Sequence, residues 1–182
     1  MKKSKTYNLV LSALGAVLIA VCSWVTIPVF PVPFTLQTFA VYCVLCLFGA
    51  RIGIQSIIVY IALGAVGVPV FSGFTAGIDR LLGMTGGYIV GFLFIGVIFA
   101  VSERLFGDKT LPSVLALVIG SVVCYAFGTA WFMGVYARTS GPIGLMAALS
   151  MCVFPFLLPD AVKLAAAVLI AKKLRPLLRK HG

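Results

Sequence analysis

The chain has 182 residues, of which 62% are hydrophobic and 10% are charged, and its mean hydropathy is +1.19. A water-soluble domain is about 45–50% apolar, so this composition excludes an ordinary soluble fold and requires that most side chains face lipid or one another. The net charge of +10 does not indicate nucleic-acid binding, because the basic residues lie at the ends of apolar runs, as in membrane proteins. These runs are long and do not alternate between polar and apolar positions, which favours membrane helices over a β-barrel.

The first predicted helix runs from about Tyr7 to Ile27 and follows three lysines. A signal peptide can begin in the same way, but this run continues without a clear small-residue cleavage site, so we interpret it as a retained membrane span. It ends at Pro28. Residues 28–33 cannot form a regular helix, because their three prolines each fix φ and lack an amide donor.

Five further apolar runs follow, at about Phe34–Phe48, Ile52–Val66, Gly86–Val101, Leu111–Met133 and a last segment that ends at Ile170. A glycine-rich stretch, 67–85, precedes the fourth run, and a polar loop, 102–110, follows it. Proline is favoured in the first turn of a helix, so we expect the final helix to begin near Pro159. A basic tail, 172–180, closes the chain.

Six crossings would place both termini on the same side of the membrane. Of the 14 Lys and Arg residues, only Arg80 and Arg138 fall in the predicted outer segments. Since cytoplasmic segments of membrane proteins are enriched in Lys and Arg, this asymmetry supports six spans. We therefore predict an all-α integral membrane protein with six transmembrane helices and both termini cytoplasmic.

Little in the sequence indicates an enzyme. No GxxxxGK[ST] phosphate loop occurs, so we do not expect this chain to use ATP by that route or to need a cofactor. The single histidine, His181, lies in the basic tail. All five cysteines fall inside apolar runs, and the one CxxC, Cys43 to Cys46, lacks the second pair or βαβ context of a metal or redox site. We expect a channel, receptor or transport component, with no metal site.

Asp160 and Lys163 are the most informative charged pair, because they precede an otherwise apolar run. Their spacing of three residues places them on one helical face. Charges inside membrane segments are costly and usually face the bundle interior or a water-filled cavity. Two interpretations stay open, which are a structural ion pair near the interface and a site that binds a small polar head group.

Two other segments are candidate cavity walls. Asp79 and Arg80 lie in the glycine-rich stretch, which is either a solvated turn or a lid over an outward cavity. The irregular segment with Phe34, Thr35 and Gln37 carries polar groups at membrane depth, where such backbone is tolerated if it lines a cavity. A proline-capped helix start is the alternative for that segment.

Small residues also recur at four-residue spacing, which lets membrane helices approach closely. They pack inside the bundle or dock to a separate membrane subunit. The positions are Ala16 and Ala20, Gly87 and Gly91, and Gly120, Cys124 and Gly128.

Several motifs follow one another in order along nearly the whole chain. They are PVPFTLQT at 31–38, GAVGVPVF at 64–71, GMTGGY at 83–88 with Gly91-Phe92, then Tyr125, Gly128 and Trp131, and finally Pro155, Pro159, Asp160 and Lys163. Each is weak alone, but the set is specific. In these motifs the chain resembles the BioY family, the biotin-specific substrate-capture subunits, or S components, of energy-coupling factor (ECF) vitamin transporters.

This resemblance implies that residues 1–182 form one transmembrane substrate-binding domain with six helices and a biotin pocket near the outer face. It implies a multi-pass protein of a prokaryotic plasma membrane that captures biotin for uptake. The implied partners are an ECF transmembrane coupling subunit and two ATP-binding subunits, which use the ATP. Alanine pairs on the first helix are typical docking features of S components, so Ala16 and Ala20 are implied to dock to the coupling subunit.

The resemblance also implies the chemistry of the pocket. Asp160 would accept hydrogen bonds from the ureido ring of biotin, and Lys163 would donate to it. Apolar and aromatic side chains would cover the rings and chain of the vitamin. The expected substrate-binding residues are Asp160, Lys163, Asp79, Arg80, Phe34, Thr35, Gln37, Tyr88, Thr85 and Trp131.

Two positions depart from the family pattern. Met84 stands where the family usually has proline, and Thr75 aligns where the family often has an arginine. Arg80 is therefore the substitute candidate for binding the biotin carboxylate. Three other functions stay open, which are an S component for another vitamin, a self-sufficient oligomeric carrier or channel, and, with little support, an intramembrane enzyme.

Overall fold

The structure is a computed structural model that describes residues 5–28 and 32–180, with side chains described as far as residue 176. Within these ranges it contains eight α-helices, one 3-10 turn and one pair of two-residue strands. The helices are α1 Lys5–Trp24, α2 Gln37–Phe48, α3 Ala50–Ala65, α4 Ile78–Leu82, α5 Gly86–Phe106, α6 Thr110–Thr139, α7 Leu145–Cys152 and α8 Phe154–Lys180; the strands are β1 Thr26–Ile27 and β2 Phe34–Thr35; the 3-10 turn is Ser72–Phe74. Lys2, Lys3, Pro31 and His181 lie outside the described residues.

Four helical segments are long and apolar enough to cross a membrane, namely Lys5–Trp24, Gly86–Phe106, Thr110–Thr139 and Leu145–Pro176. The apolar helices α2 and α3 have only 12 and 16 residues. Both are shorter than the roughly 20 residues of a typical span. The helical membrane fold is therefore confirmed in outline, while six crossings and the side of each terminus stay predictions.

Several predicted boundaries were wrong because tertiary contacts extend or end the helices. The helix α5 continues to Phe106, since Glu103 caps the start of α3 by accepting a hydrogen bond from the Ala50 amide at 2.9 Å. The final helix begins at Phe154 and not near Pro159. Pro155 occupies its first turn, where no amide donor is needed, and Pro159 lies inside the helix.

The two short strands flank the proline-rich segment 28–33, with β1 before it and β2 after it. Strands β1 and β2 are antiparallel, with Thr26 opposite Thr35 and Ile27 opposite Phe34. The first helix therefore stops at Trp24, three residues before the predicted end. This pairing fixes Phe34 and Thr35 just before α2 begins, which is where the cavity described below is formed.

Close helix packing explains most of the small residues. An added Cβ at Gly120 on α6 would lie 2.8 Å from the Cα of Ile95 on α5, so these two helices touch backbone to backbone. Ala16 and Ala20 are 2% and 5% exposed and belong to the main core, where α1 packs against α2 and α3. Their methyl groups pack inside the bundle in this structure, and their docking to a coupling subunit stays a prediction.

Candidate functional site

The charged pair near the start of α8 lies inside the protein. Asp160 and Lys163 are 8% and 7% exposed, and the Lys163 Nζ lies 2.7 Å from the Asp160 Oδ1. Both occupy the second and third turns of α8, on the face that packs against α2. A buried ion pair is stable only when further hydrogen bonds satisfy the remaining donors and acceptors.

Those further hydrogen bonds come from the segment before and at the start of α2. The Lys163 ammonium donates to the Thr35 carbonyl at 2.6 Å and to the Thr38 Oγ1 at 3.2 Å. With the bond to Asp160, all three ammonium protons have an acceptor. The ammonium also lies 4.0 Å from the centre of the Phe34 ring, a cation–π contact that adds to its stabilisation.

The Asp160 carboxylate is held from two further helices. Its Oδ1 accepts from the Thr38 hydroxyl at 3.1 Å in addition to Lys163, and its Oδ2 accepts from the Tyr125 hydroxyl of α6. A carboxylate has about four acceptor positions, so three of them are occupied. The position that stays open is on Oδ2.

A cavity of about 90 Å³, the deep cavity, lies beside this pair. Its wall combines residues from α2, α4, α5, α6, α7 and α8 with the segments that connect them. The lining residues are Val32, Pro33, Thr35, Gln37, Thr38, Phe71, Ser72, Arg80, Thr85, Tyr88, Ile89, Phe92, Cys124, Tyr125, Cys152, Phe156, Asp160 and Lys163. The mixture of many apolar groups with a few convergent polar ones is typical of a small-molecule site.

A second cavity of about 400 Å³, the vestibule, adjoins the deep cavity. The two share Pro33, Arg80 and Thr85 in their walls. Asp79 lines only the vestibule. The Arg80 side chain thus stands at the boundary between the two, on the short helix α4, where a ligand that extends from one cavity into the other would pass it.

Most of the residues that the sequence analysis selected lie around the deep cavity. Seven of them line it: Thr35, Gln37, Arg80, Thr85, Tyr88, Asp160 and Lys163. Phe34 contributes through Lys163 and through stacking on the cavity residue Phe156, with ring centres 6.4 Å apart. The structure therefore brings the three separate sequence segments together, although it does not test which of these residues binds a ligand.

Trp131 lines neither of these two cavities, and its expected role in covering a bound ring stays a prediction. Its indole Nε1 donates to the Gly83 carbonyl at 3.1 Å, and its Cβ would lie 2.4 Å from a Cβ added at Gly87. Trp131 therefore packs α6 against the start of α5 and fixes the backbone just before Thr85. Its position in the structure is behind the cavity wall.

Sequence reasoning did not assign a role to Thr38 or Tyr125, and both bond directly to Asp160. Thr38 lies next to Gln37 in the first turn of α2 and in the same short polar segment as Thr35, so its place beside the same cavity could have been deduced from that segment. Tyr125 lies 35 residues before Asp160 on another helix. No local pattern reports that contact, because it depends on how α6 packs against α8.

Comparisons with known proteins identify the family and agree with the fold. The sequence model of the BioY family matches residues 1–180. A probable biotin transporter of Pyrococcus horikoshii is 37% identical over 95% of this chain and 98% of its own length. A biotin transporter of Thermotoga maritima is 33% identical over 93% and 96% of the two chains.

A solved structure has the same fold. A crystal structure of the S-component for biotin from an ECF-type ABC transporter superimposes with a TM-score of 0.84 at 24% identity, over 97% of this chain and 94% of the other. The relatives are named transporters, in agreement with the expectation that the chain is not an enzyme. The family match covers nearly the whole chain and the relatives exceed 30% identity over most of it, so this protein is a member of the BioY family.

Proposed function

We propose that the chain captures biotin for uptake, as the substrate-binding S component of an ECF-type transporter. The observation that carries this proposal is the buried ion pair of Asp160 and Lys163, with one carboxylate acceptor position open, in the wall of a mostly apolar cavity. Biotin matches such a site, because its neutral ureido group offers two N–H donors and one carbonyl acceptor while the rest of its rings and chain is largely apolar.

The open acceptor position on Asp160 determines how the head group binds. One ureido N–H donates to Oδ2, beside the Tyr125 hydroxyl that already bonds there. The ureido carbonyl accepts from Lys163. Because all three ammonium protons have partners, the carbonyl replaces the weakest of them, which is the 3.2 Å bond to the Thr38 hydroxyl. Thr38 keeps its own bond to the carboxylate.

Each of the two cavities holds one part of the proposed ligand. The deep cavity, at about 90 Å³, is smaller than the roughly 300–1,000 Å³ of typical ligand pockets, and the vestibule of about 400 Å³ extends it. In this arrangement the bicyclic head lies deep, beside Asp160, and the carboxylate chain extends past Arg80. A guanidinium can bind a carboxylate with two parallel hydrogen bonds, so we assign Arg80 as the carboxylate partner.

Four helical segments are long enough to span the membrane, and the two shorter apolar helices α2 and α3 pack among them. We infer that all six cross the plasma membrane, with both termini cytoplasmic, in accord with the distribution of Lys and Arg. The chain has no phosphate-binding loop. The solved structure with this fold is the S-component of an ECF-type ABC transporter, so we propose that an ECF transmembrane coupling subunit and two ATP-binding subunits supply the energy.

The test is binding of labelled biotin to the detergent-purified chain, with thiamine, riboflavin and other vitamins as competitors. We expect saturable binding that unlabelled biotin displaces and the other vitamins do not. Displacement by another vitamin at lower concentration would instead assign a different substrate. Uptake in cells that lack every ECF ATP-binding subunit tests energisation, because uptake that persists there would indicate a self-sufficient carrier.

A further inference from the structure

A third cavity, the basal cavity, lies at the opposite end of the helices that form the deep cavity. Helices α2, α5, α6 and α8 contribute to the walls of both. On α8, Lys163 of the deep cavity and Arg175 of the basal cavity are separated by about 18 Å of helix. The basal cavity has a volume of about 310 Å³, which is within the range of small-molecule sites.

The basal cavity has an apolar floor and a polar rim. Cys46, Phe99 and Ala171 line the floor, and all three are buried. Thr110 and Lys172 line the rim, and both are exposed. A ligand that fills this cavity therefore needs an apolar part for the interior and a polar part for the opening.

The guanidinium of Arg175 supplies one positive charge to the rim. Its Nη1 forms an ion pair with the Asp108 Oδ1, and its Nη2 lies 3.8 Å from the Glu103 Oε1, which is too far for a hydrogen bond. A guanidinium has five N–H donors, so these two carboxylates do not use all of them. Arg175 also offsets the charge of Asp108, the one carboxylate among the residues that line the cavity.

Lys172 supplies a second positive charge, and its ammonium has no hydrogen bond or ion pair among the described residues. The Thr110 hydroxyl likewise has no described partner, whereas the Ser113 hydroxyl donates to the Lys109 carbonyl. Lys109 and Lys173 adjoin the rim in sequence and are exposed, so they add to its positive potential. Such a set of donors suits an anionic group with several acceptor oxygens, as in a phosphate ester.

We propose that the basal cavity binds an anionic phospholipid. The phosphate group contacts Lys172, Arg175 and Thr110 at the rim, and the glycerol and the start of an acyl chain lie over Phe99 and Cys46. On the proposed topology this end of the bundle faces the cytoplasm. Basic pockets between membrane helices on that side are typical binding sites for anionic lipid head groups.

The experiment adds phosphatidylglycerol or phosphatidylcholine to the delipidated, detergent-purified chain and measures bound lipid by native mass spectrometry. The test variant is Lys172→Gln. Its matched control is Lys173→Gln, which makes the same charge change at the next residue, outside the cavity wall. Ser113→Leu keeps every charge and places a larger side chain in the cavity. Thermal unfolding of each lipid-free variant checks that it is folded.

We expect one phosphatidylglycerol molecule to bind the wild type in preference to phosphatidylcholine. One Lys or Arg near an anionic lipid surface contributes roughly fivefold in affinity, so Lys172→Gln should bind phosphatidylglycerol about fivefold more weakly. Ser113→Leu should lose this lipid because its side chain occupies the same space. Lys173→Gln should stay within about twofold of the wild type.

The remaining outcomes would each overturn the proposal. Equal losses in Lys172→Gln and Lys173→Gln would mean that the basic surface attracts lipid without a specific site. Unchanged binding in Ser113→Leu would place the lipid outside the cavity. Equal binding of phosphatidylcholine would exclude recognition of the negative charge. Displacement of phosphatidylglycerol by inorganic phosphate or glycerol 3-phosphate at equal concentration would assign the cavity to a soluble phosphate and not to a lipid.

Discussion

Replacing the carboxylate of Asp160 by an amide tests two roles of the buried pair, its contribution to folding stability and its proposed contribution to ligand binding. Asp160→Asn keeps the size and shape of the side chain but removes its charge. The Lys163 ammonium, 7% exposed, then stays in the interior without a carboxylate 2.7 Å away. The proposed ligand loses the charged acceptor for one of its N–H groups at the same time.

The expected magnitudes follow from these two losses. Breaking a buried ion pair by neutralising one partner costs about 3–5 kcal/mol of folding free energy, because the other charge stays uncompensated. A hydrogen bond to a charged group contributes about 1.5–3 kcal/mol, which corresponds to roughly 10- to 150-fold in affinity. We therefore expect Asp160→Asn to be less stable and to bind biotin at least about tenfold more weakly.

The double variant Asp160→Asn with Lys163→Met distinguishes the two effects. It removes the stranded ammonium, so we expect it to recover much of the lost stability while biotin binding stays weak. Thermal unfolding in detergent measures the first quantity, and titration with labelled biotin measures the second. Asp108→Asn is the control for biotin affinity, since Asp108 lines neither the deep cavity nor the vestibule. Wild-type biotin affinity in Asp160→Asn would refute the assignment of this carboxylate to the ligand.

The other predictions concern the cavity wall, the carboxylate partner and the far end of the helices. Gly128→Ala should weaken biotin binding, because its new Cβ would lie 2.3 Å from the ring of Tyr88 in the cavity wall. Gly134→Ala on the same helix is the control, since its Cβ meets open space and should leave biotin affinity unchanged. Titration of both variants with labelled biotin measures the two affinities. Arg80→Gln should weaken binding of biotin but not of biotinamide, which lacks the carboxylate, and equal losses for both ligands would contradict the assignment. Glu103→Ala should lower the free energy of unfolding by about 0.5–2 kcal/mol, because it removes the cap of α3. It should leave biotin affinity unchanged, because Glu103 lines neither the deep cavity nor the vestibule. Unchanged thermal stability of this variant would contradict the capping role.

The hydropathy pattern was sufficient to predict the main helices, because apolar runs of this length have few alternatives in lipid. It was not sufficient for their ends. The helix α5 continues through Glu103 because that side chain has partners on two other elements, the Ala50 amide and, at 3.8 Å, the Arg175 guanidinium of α8. Hydropathy does not report such partners, so this charged segment was predicted as a loop.

The site was predictable where its residues are close in sequence. Asp160 and Lys163 are three apart on a helix, and their mutual contact follows from that spacing. The contact of Tyr125 with Asp160 does not, since it depends on the packing of α6 against α8. The contact of the Trp131 indole with the Gly83 carbonyl was likewise not predictable, because it depends on the packing of α6 against the start of α5.

The neutrality of the Asp160–Lys163 pair has a consequence for selectivity among solutes. Every proton of the ammonium and three positions of the carboxylate are already satisfied by protein atoms. Inorganic ions such as chloride, phosphate or sodium would have to give up their hydration shells for a place that offers no uncompensated charge of either sign. An uncharged head group that can both donate and accept loses far less solvation there, so abundant salts compete poorly for the same place.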